Sequence, residues 1–377
     1  MPSAPAPRLA ALDAMRGYAI LGVVLAHTAQ WAPPAAGWAA QFCANGALGV
    51  QLFFVASAFA LFLSQDRRRG GERHPVAGFF LRRFFRIVPM FYAGLIFFVL
   101  LAGGRPRFWA PHGVTPLDVG LTAVFLNGWH PETINAVVPG GWSIVAEVSF
   151  YLLLPLLFRL VTSRERAWLL LAGMVLLGWV AGEWLAPLLT PAYPATFAYL
   201  AENFRFFWIF GQLPVFALGI VLHFLLRDAR DGSDPRPGWL SLGAAAVLGG
   251  ALFRQLHPPM PPPFPAVVLY GAAFMLFGLG LNLTRSALLV NRPVLLLGRI
   301  SYSLYFVHFA VFQFLFLRWP AGFPVTGPGA TLLALLLVLA VAGPVSWATH
   351  RWIELPGIDL GRRWVALIEA RAPGAEK

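Results

Sequence analysis

The sequence predicts an all-α protein that crosses a membrane about ten times. Of its 377 residues, 58% are hydrophobic and only 12% are charged, about half the roughly 25% charge of a soluble domain. The apolar residues gather in stretches near the ~20 residues that a helix needs to cross a bilayer. The basic residues gather in alternate loops, the pattern that orients membrane proteins.

The expected spans are residues 17–38, 46–64, 84–103, 142–160, 167–185, 204–226, 239–253, 266–283, 300–317 and 331–350. The first is apolar enough to resemble a signal peptide. It carries Arg16 and His27 and further spans follow it, so it reads as a retained helix. A further stretch, 117–127, is too short to cross as a helix. Charge placement decides its status. Ten spans with both termini in the cytoplasm leave only Arg105, Arg107, Arg205, Arg254 and Arg318 on the outer side and its flanks. The other basic residues, from Arg8 to Lys377 and including Arg230 and Arg371, then fall in cytoplasmic segments. A crossing at 117–127 would invert every later loop, so this segment is expected outside or partly inserted. The expected setting is the cytoplasmic (inner) membrane, with a membrane domain at 1–356 and a short cytoplasmic tail at 357–377.

The formal charge is +12. In a soluble chain that would suggest nucleic acid. Here the basic residues flank apolar segments, so the lipid bilayer is the expected partner and nucleic acid is not. Cys43 is the only cysteine, which rules out a disulfide framework or a cysteine zinc cluster within the chain. No metal site and no bound cofactor are expected. Neither a Walker loop nor a GxGxxG turn occurs.

Ionisable groups at membrane depth are costly and point to function. In the first span His27 follows Arg16 by three helical turns, roughly 16 Å along the axis and on the same face. An imidazole there suits removal of a proton from an alcohol, although a histidine hydrogen-bonded between helices is the plainer alternative. Arg83 and Arg86, spaced i, i+3, sit side by side where the third span begins. They serve either as anchors or as a clamp for a polyphosphate. In the fourth span Ser143, Glu147 and Tyr151 form one polar stripe beside Trp142. Glu147 there is either an interhelical lock or an acid–base group. Ser301, Tyr305 and His308 share a face of the ninth span. Glu354, after the last span, reads as a cytoplasmic cap, and His112 and His130 as solvated loop residues.

These motifs resemble the acyltransferase-3 family. The carrying features are the run from Leu12 to His27, the Arg83/Arg86 pair before Ile87 and Pro89, Trp142-Ser143 with Glu147 and Phe150-Tyr151, and Ser301-Tyr302-Ser303 before His308. They occur in the family's order across nearly the whole chain. The resemblance implies a ten-helix membrane O-acyltransferase. It would move an acetyl or other short acyl group from cytoplasmic acyl-CoA, most simply acetyl-CoA, to a carbohydrate of the cell envelope or another hydroxyl-bearing acceptor. His27 matches the family's catalytic histidine. Arg83 and Arg86 match its acyl-CoA-linked arginine pair, and Arg16 and Glu147 its other polar positions. Acyl-CoA enters as a co-substrate. One departure is Ala146-Glu147-Val148-Ser149, where the family often has a second acidic residue. The chain resembles the stand-alone form, without an added hydrolase-like domain.

On this reading His27 and Glu147 are catalytic and Arg16, Arg83 and Arg86 hold acyl-CoA. Asp13, Trp142, Ser143, Tyr151, Tyr305 and His308 contact substrate. His27 acts as general base or carries the acyl group as acyl-imidazole, and Glu147 or Asp13 orients its ring. The competing expectation is a transporter or flippase of lipid-linked sugars, which also needs ten spans and buried polar groups.

Overall fold

Helices account for all of the regular structure among the described residues, with only an isolated bridge between Arg107 and Ala110 besides. The structure is a computed structural model that describes residues 7–35, 37–190, 192–229, 234–255, 261–319, 322–325, 327 and 329–370. Arg230, Arg371, Lys377 and the side chain of Arg8 lie outside the described residues. The helices are α1 (Pro7–Trp31), α2 (Gly37–Asn45), α3 (Gly49–Arg68), α4 (Pro75–Ala102), α5 (Pro116–Ala123) and α6 (Gly141–Leu160). After them come α7 (Arg164–Val180), α8 (Ala186–Leu189), α9 (Ala198–Phe207), α10 (Ile209–Asp228) and α11 (Arg236–Gln255). The last are α12 (Phe264–Thr284), α13 (Arg292–Arg299), α14 (Ser301–Arg318), α15 (Ala330–Thr349) and α16 (Leu355–Ala370).

Eight of these helices, or runs of joined helices, are long and apolar enough to cross a membrane. The pair α13–α14, bent by 78°, adds a ninth. The chain is a polytopic membrane protein. The remaining expected span is α11, a 20-residue helix that falls outside that set. It packs along α12, and its Gly and Ala residues and terminal arginines keep it less apolar than the rest. The short segment at 117–127 becomes α5, whose N-terminus Thr115 and Asp118 close in a reciprocal capping box.

Several boundaries differ from the sequence expectation. The first span was expected to reach Trp38, but Pro33 and Pro34 follow the helix end at Trp31, where proline cannot continue a helix. The second span starts earlier, at Gly37, because a 3-10 turn at Gly46–Leu48 joins α2 to α3. The expected ninth span begins at a sharp bend, with α13 lying across the bundle end before α14 enters it. The last span continues through a π-helical turn, His350–Glu354, into α16. Such turns often mark functional sites, and this one carries Glu354.

The centre of the bundle is α10, buried along nearly all its length, as expected of a helix that is apolar on every side. It packs on α3, α7 and α12. The polar residues of the candidate site lie elsewhere, on α1, α3, α4, α6 and α14.

Candidate functional site

Those five helices enclose a cavity of about 80 Å³. From α1 comes Arg16, from α3 Ser57, and from α4 Arg83 and Arg86; α6 adds Ser143, Glu147 and Tyr151, and α14 adds Ser301, Tyr302 and Tyr305. Phe53, Phe54 and Ile87 supply apolar wall. The i, i+4, i+8 stripe on α6 turns inward as a unit.

Almost every polar group here is held by another. Glu147 accepts from the hydroxyls of Tyr151, at 2.7 Å, and of Ser57. Tyr302 donates to the Ile87 carbonyl at 2.9 Å. Arg16 lies 3.7 Å from Asp13, which Arg299 also approaches at 3.8 Å. Arg86 lies 3.9 Å from Glu354, whose side chain is 1% exposed. Glu354 in turn accepts from Ser303 at 3.1 Å and meets His350 at 2.9 Å. Arg83 differs in having only a neutral partner, Tyr151. Its guanidinium lies 5.9 Å from the centre of the Tyr151 ring. No carboxylate lies within ion-pair distance of it among the described residues, and its Nε is buried without a hydrogen-bond partner. A buried guanidinium with unused donors is a ready anion site.

Tyr305 closes the opposite wall. Its hydroxyl donates to the Gly140 carbonyl at 3.0 Å and accepts from Ser143 at 2.9 Å. Gly140 caps α6 with φ of 74°, a backbone state that favours glycine. A Cβ there would also lie 2.6 Å from the Tyr305 hydroxyl, so glycine is required on two counts. Beyond Tyr305 lies a second cluster. The His27 ring packs 5.4 Å from that of His308 and 4.7 Å from Phe309, and the His308 ring is 5.8 Å from that of Tyr305.

His308 is fully buried. Its Nδ1 sits 2.9 Å from the Leu304 carbonyl. A carbonyl can only accept, so Nδ1 carries the hydrogen and Nε2 of the neutral ring keeps a free lone pair. That Nε2 is buried without a partner. His27 Nδ1 lies 3.4 Å from Oε1 of Gln30, which by the same rule leaves its Nε2 as an acceptor. Two adjacent imidazoles thus present lone pairs and lack a donor, as a hydroxyl-binding site would.

The structure therefore brings the expected residues together in two groups. Arg16, Arg83, Arg86, Glu147, Ser143, Tyr151 and Tyr305 share the cavity; His27 and His308 pair beyond it. Three expectations need correction. Asp13 and Glu147 were candidates to orient His27, but among the described residues neither bonds to it, and Gln30 does. Asp13 lies 14 residues away, roughly 21 Å along α1. Trp142 stacks on Phe207, with ring centres 4.6 Å apart, and is core rather than cavity wall. It precedes Ser143 by one residue, so it points about 100° away from the stripe. Glu354 was read as a cap and is instead the buried counter-charge of Arg86. Its position inside a π-helical turn was invisible in the sequence, and only its acidity beside an apolar span could have flagged it. Between α4 and α6, His112 pairs with Glu132 at 2.8 Å, while Asn127 is buried and donates to the Ile134 carbonyl at 3.1 Å.

Residues 9–348 match the family described as Acyltransferase domain. The chain belongs to the acyltransferase-3 family. It is 30% identical over 393 residues to Acyltransferase MdmB of Streptomyces mycarofaciens, an alignment covering 94% of this chain and 93% of that one. It is 23% identical over 381 residues to O-acetyltransferase OatA of Staphylococcus aureus, covering 92% of this chain and 57% of that one. No solved structure gives a significant match. Membership makes the protein a membrane acyltransferase and removes the transporter reading. An acyltransferase needs an acyl donor and an acceptor.

Proposed function

We propose that the protein transfers an acetyl or other short acyl group from cytoplasmic acyl-CoA to a hydroxyl of a carbohydrate or other glycoside acceptor. The observation that carries this reading is the arginine cavity. Arg16, Arg83 and Arg86 reach into the bundle from one end, and a guanidinium with spare donors suits the anionic donor. That end is assigned to the cytoplasm by the positive-inside rule, which also places both termini there. The cavity is smaller than the ~300–1,000 Å³ of ligand pockets, so it admits only the narrow acyl-bearing end of the donor.

In this scheme the acceptor hydroxyl binds at the imidazole pair. His27 takes the hydroxyl proton through its Nε2 while the oxygen attacks the thioester carbonyl. The C–S bond breaks, and the protonated His27 returns the proton to the departing thiolate. His308 Nε2 accepts from the acceptor and positions it. Tyr305 stands between the cavity and His27, so thioester and hydroxyl meet where its ring packs. Glu147, fixed by Ser57 and Tyr151, balances the arginines. Residues 1–356 form the acyltransferase domain, with 357–377 a cytoplasmic extension.

The name O-acetyltransferase, borne by one relative, favours a hydroxyl acceptor and an acetyl donor. The test is acetyl-CoA turnover by purified protein, read as free CoA released when a glycoside acceptor is added. His27→Ala is expected to lower the rate by about 10²–10⁴-fold, the usual worth of a general base, with an unchanged unfolding midpoint. A wild-type rate in that variant would refute the assignment.

A further inference from the structure

A second basic recess lies at the same end of the bundle, between α3, α4 and α16. It measures about 470 Å³ and is lined by Arg68, Arg82, Arg83, Arg86 and Arg362 over a floor of Ile358 and Val365. We infer that this recess seats the phosphate groups of acyl-CoA, and that Arg83 and Arg86 hand the donor's arm from it into the inner cavity. The inference rests on the acyl-CoA reading above and adds the place where the nucleotide end lies.

Size separates the two compartments. The inner cavity, at about 80 Å³, cannot hold a nucleotide, whereas the outer recess falls within the usual range for a ligand pocket. Arg83 and Arg86 line both, so the two spaces share a wall made of guanidinium groups. An anion in the recess therefore lies directly beside the entrance to the polar interior.

Charge is incompletely matched in the recess. Arg68 and Arg82 share the single carboxylate of Glu72, at 3.2 and 2.9 Å. Arg362 pairs with Asp359 at 2.9 Å and Arg86 faces Glu354 at 3.9 Å. Five guanidinium groups thus meet three carboxylates, and Arg83 has none. Like charges gathered in a concave site raise the local potential and favour a multiply charged anion. Guanidinium forks fit phosphate oxygens two at a time. The apolar floor from α16 gives a flat ring a surface to rest on.

The recess is also fixed in shape. Gly357 and Gly361 of α16 let that helix lie directly on Phe85 and Pro89 of α4. The Glu369 carboxylate accepts the backbone N–H groups of Arg73 and His74 at 2.8 and 3.0 Å, which satisfies donors at the start of α4. Both walls are thus tied together before any ligand arrives.

The phosphate of an anionic lipid headgroup shares this chemistry, and the experiment separates the two sources. Protein in nanodiscs of zwitterionic lipid is titrated calorimetrically with CoA, dephospho-CoA and pantetheine. Arg362→Glu is the test variant, because Arg362 is exposed and outside the inner cavity; Arg363→Glu, its neighbour outside the recess, is the control. The expected result is a loss of CoA affinity of at least about tenfold in Arg362→Glu, a smaller loss for dephospho-CoA and none for pantetheine, with the control unchanged. Unchanged CoA affinity in Arg362→Glu overturns the inference while leaving the donor reading intact. Equal losses for CoA and pantetheine also overturn it. If Arg362→Glu instead loses only the binding of anionic lipid added to the nanodiscs, the recess is a headgroup site and the inference falls. Absence of CoA binding to the wild type defeats the donor reading itself.

Discussion

The two sides of α1 meet the membrane interior in opposite ways. One side carries Arg16 into the arginine cavity and His27 onto α14. The other presents Tyr18, Gly22 and Leu25 to an apolar groove of about 850 Å³ between α1, α3, α11 and α12. The groove is about ten times the volume of the cavity, yet its wall is built mostly of Gly, Ala, Leu and Phe and carries no charged residue. Volume alone would choose the groove as the active site, whereas chemistry chooses the cavity. Buried charges are tolerated only where partners repay their desolvation, and this molecule supplies those partners on one side only. Glu147, Glu354, Tyr302 and Ser303 bond to neighbours, while Arg83 and His308 Nε2 keep unspent capacity. A network whose spare capacity lies at Arg83 Nε and the neighbouring imidazole Nε2 atoms marks where a ligand is expected.

That contrast is broken most severely at Glu354. Its carboxylate faces Arg86, Ser303 and His350 at 1% exposure. Glu354→Ala removes one partner of a buried charge, so a loss of about 3–5 kcal/mol is expected. Denaturant unfolding in detergent should show it, and a wild-type midpoint would mean that the polar side is not held by paired charges. Tyr305→Phe is expected to cost less, about 0.5–1.5 kcal/mol. It keeps the ring between cavity and His27 and removes only the phenol hydroxyl, since Ser143 still donates to the Gly140 carbonyl at 3.0 Å. The same unfolding experiment checks it, and a loss as large as that from Glu354→Ala would overturn the ranking.

How far this division was legible in the sequence depends on the element. Hydropathy located the membrane-length helices, because lipid forces apolar runs of fixed length; of the ten expected spans, α11 alone falls outside the set apolar enough to cross. Helix face followed from spacing, which is why the Ser143–Glu147–Tyr151 stripe and the side-by-side placement of Arg83 and Arg86 were anticipated. What spacing cannot give is the neighbour. Arg86 meets Glu354 and His27 meets His308 across most of the chain's length, and no local rule pairs them. The 78° bend between α13 and α14 escaped for a similar reason. The apolar pattern runs on through Ile300, whereas α13 packs on α1, a long-range contact no local pattern reveals. Trp142 shows the reverse error. The family resemblance implies a role for it in the site, although its angle from Ser143 already turns it toward the core.

The smallest expected effect lies on the apolar side of the comparison. Ala246 lines the groove on α11 and is exposed. Ala246→Val adds two methyl groups to that space. If the groove meets only hydrocarbon, nothing is desolvated and no polar contact is lost. Stability should then stay within about 0.5 kcal/mol, and acyl-CoA turnover should be unchanged. The measurement pairs an unfolding midpoint with a CoA-release rate in the same preparation. A tenfold fall in turnover with an unchanged midpoint would tie the groove to the reaction through α1, whose opposite side bears His27, and the two sides could no longer be treated as separate.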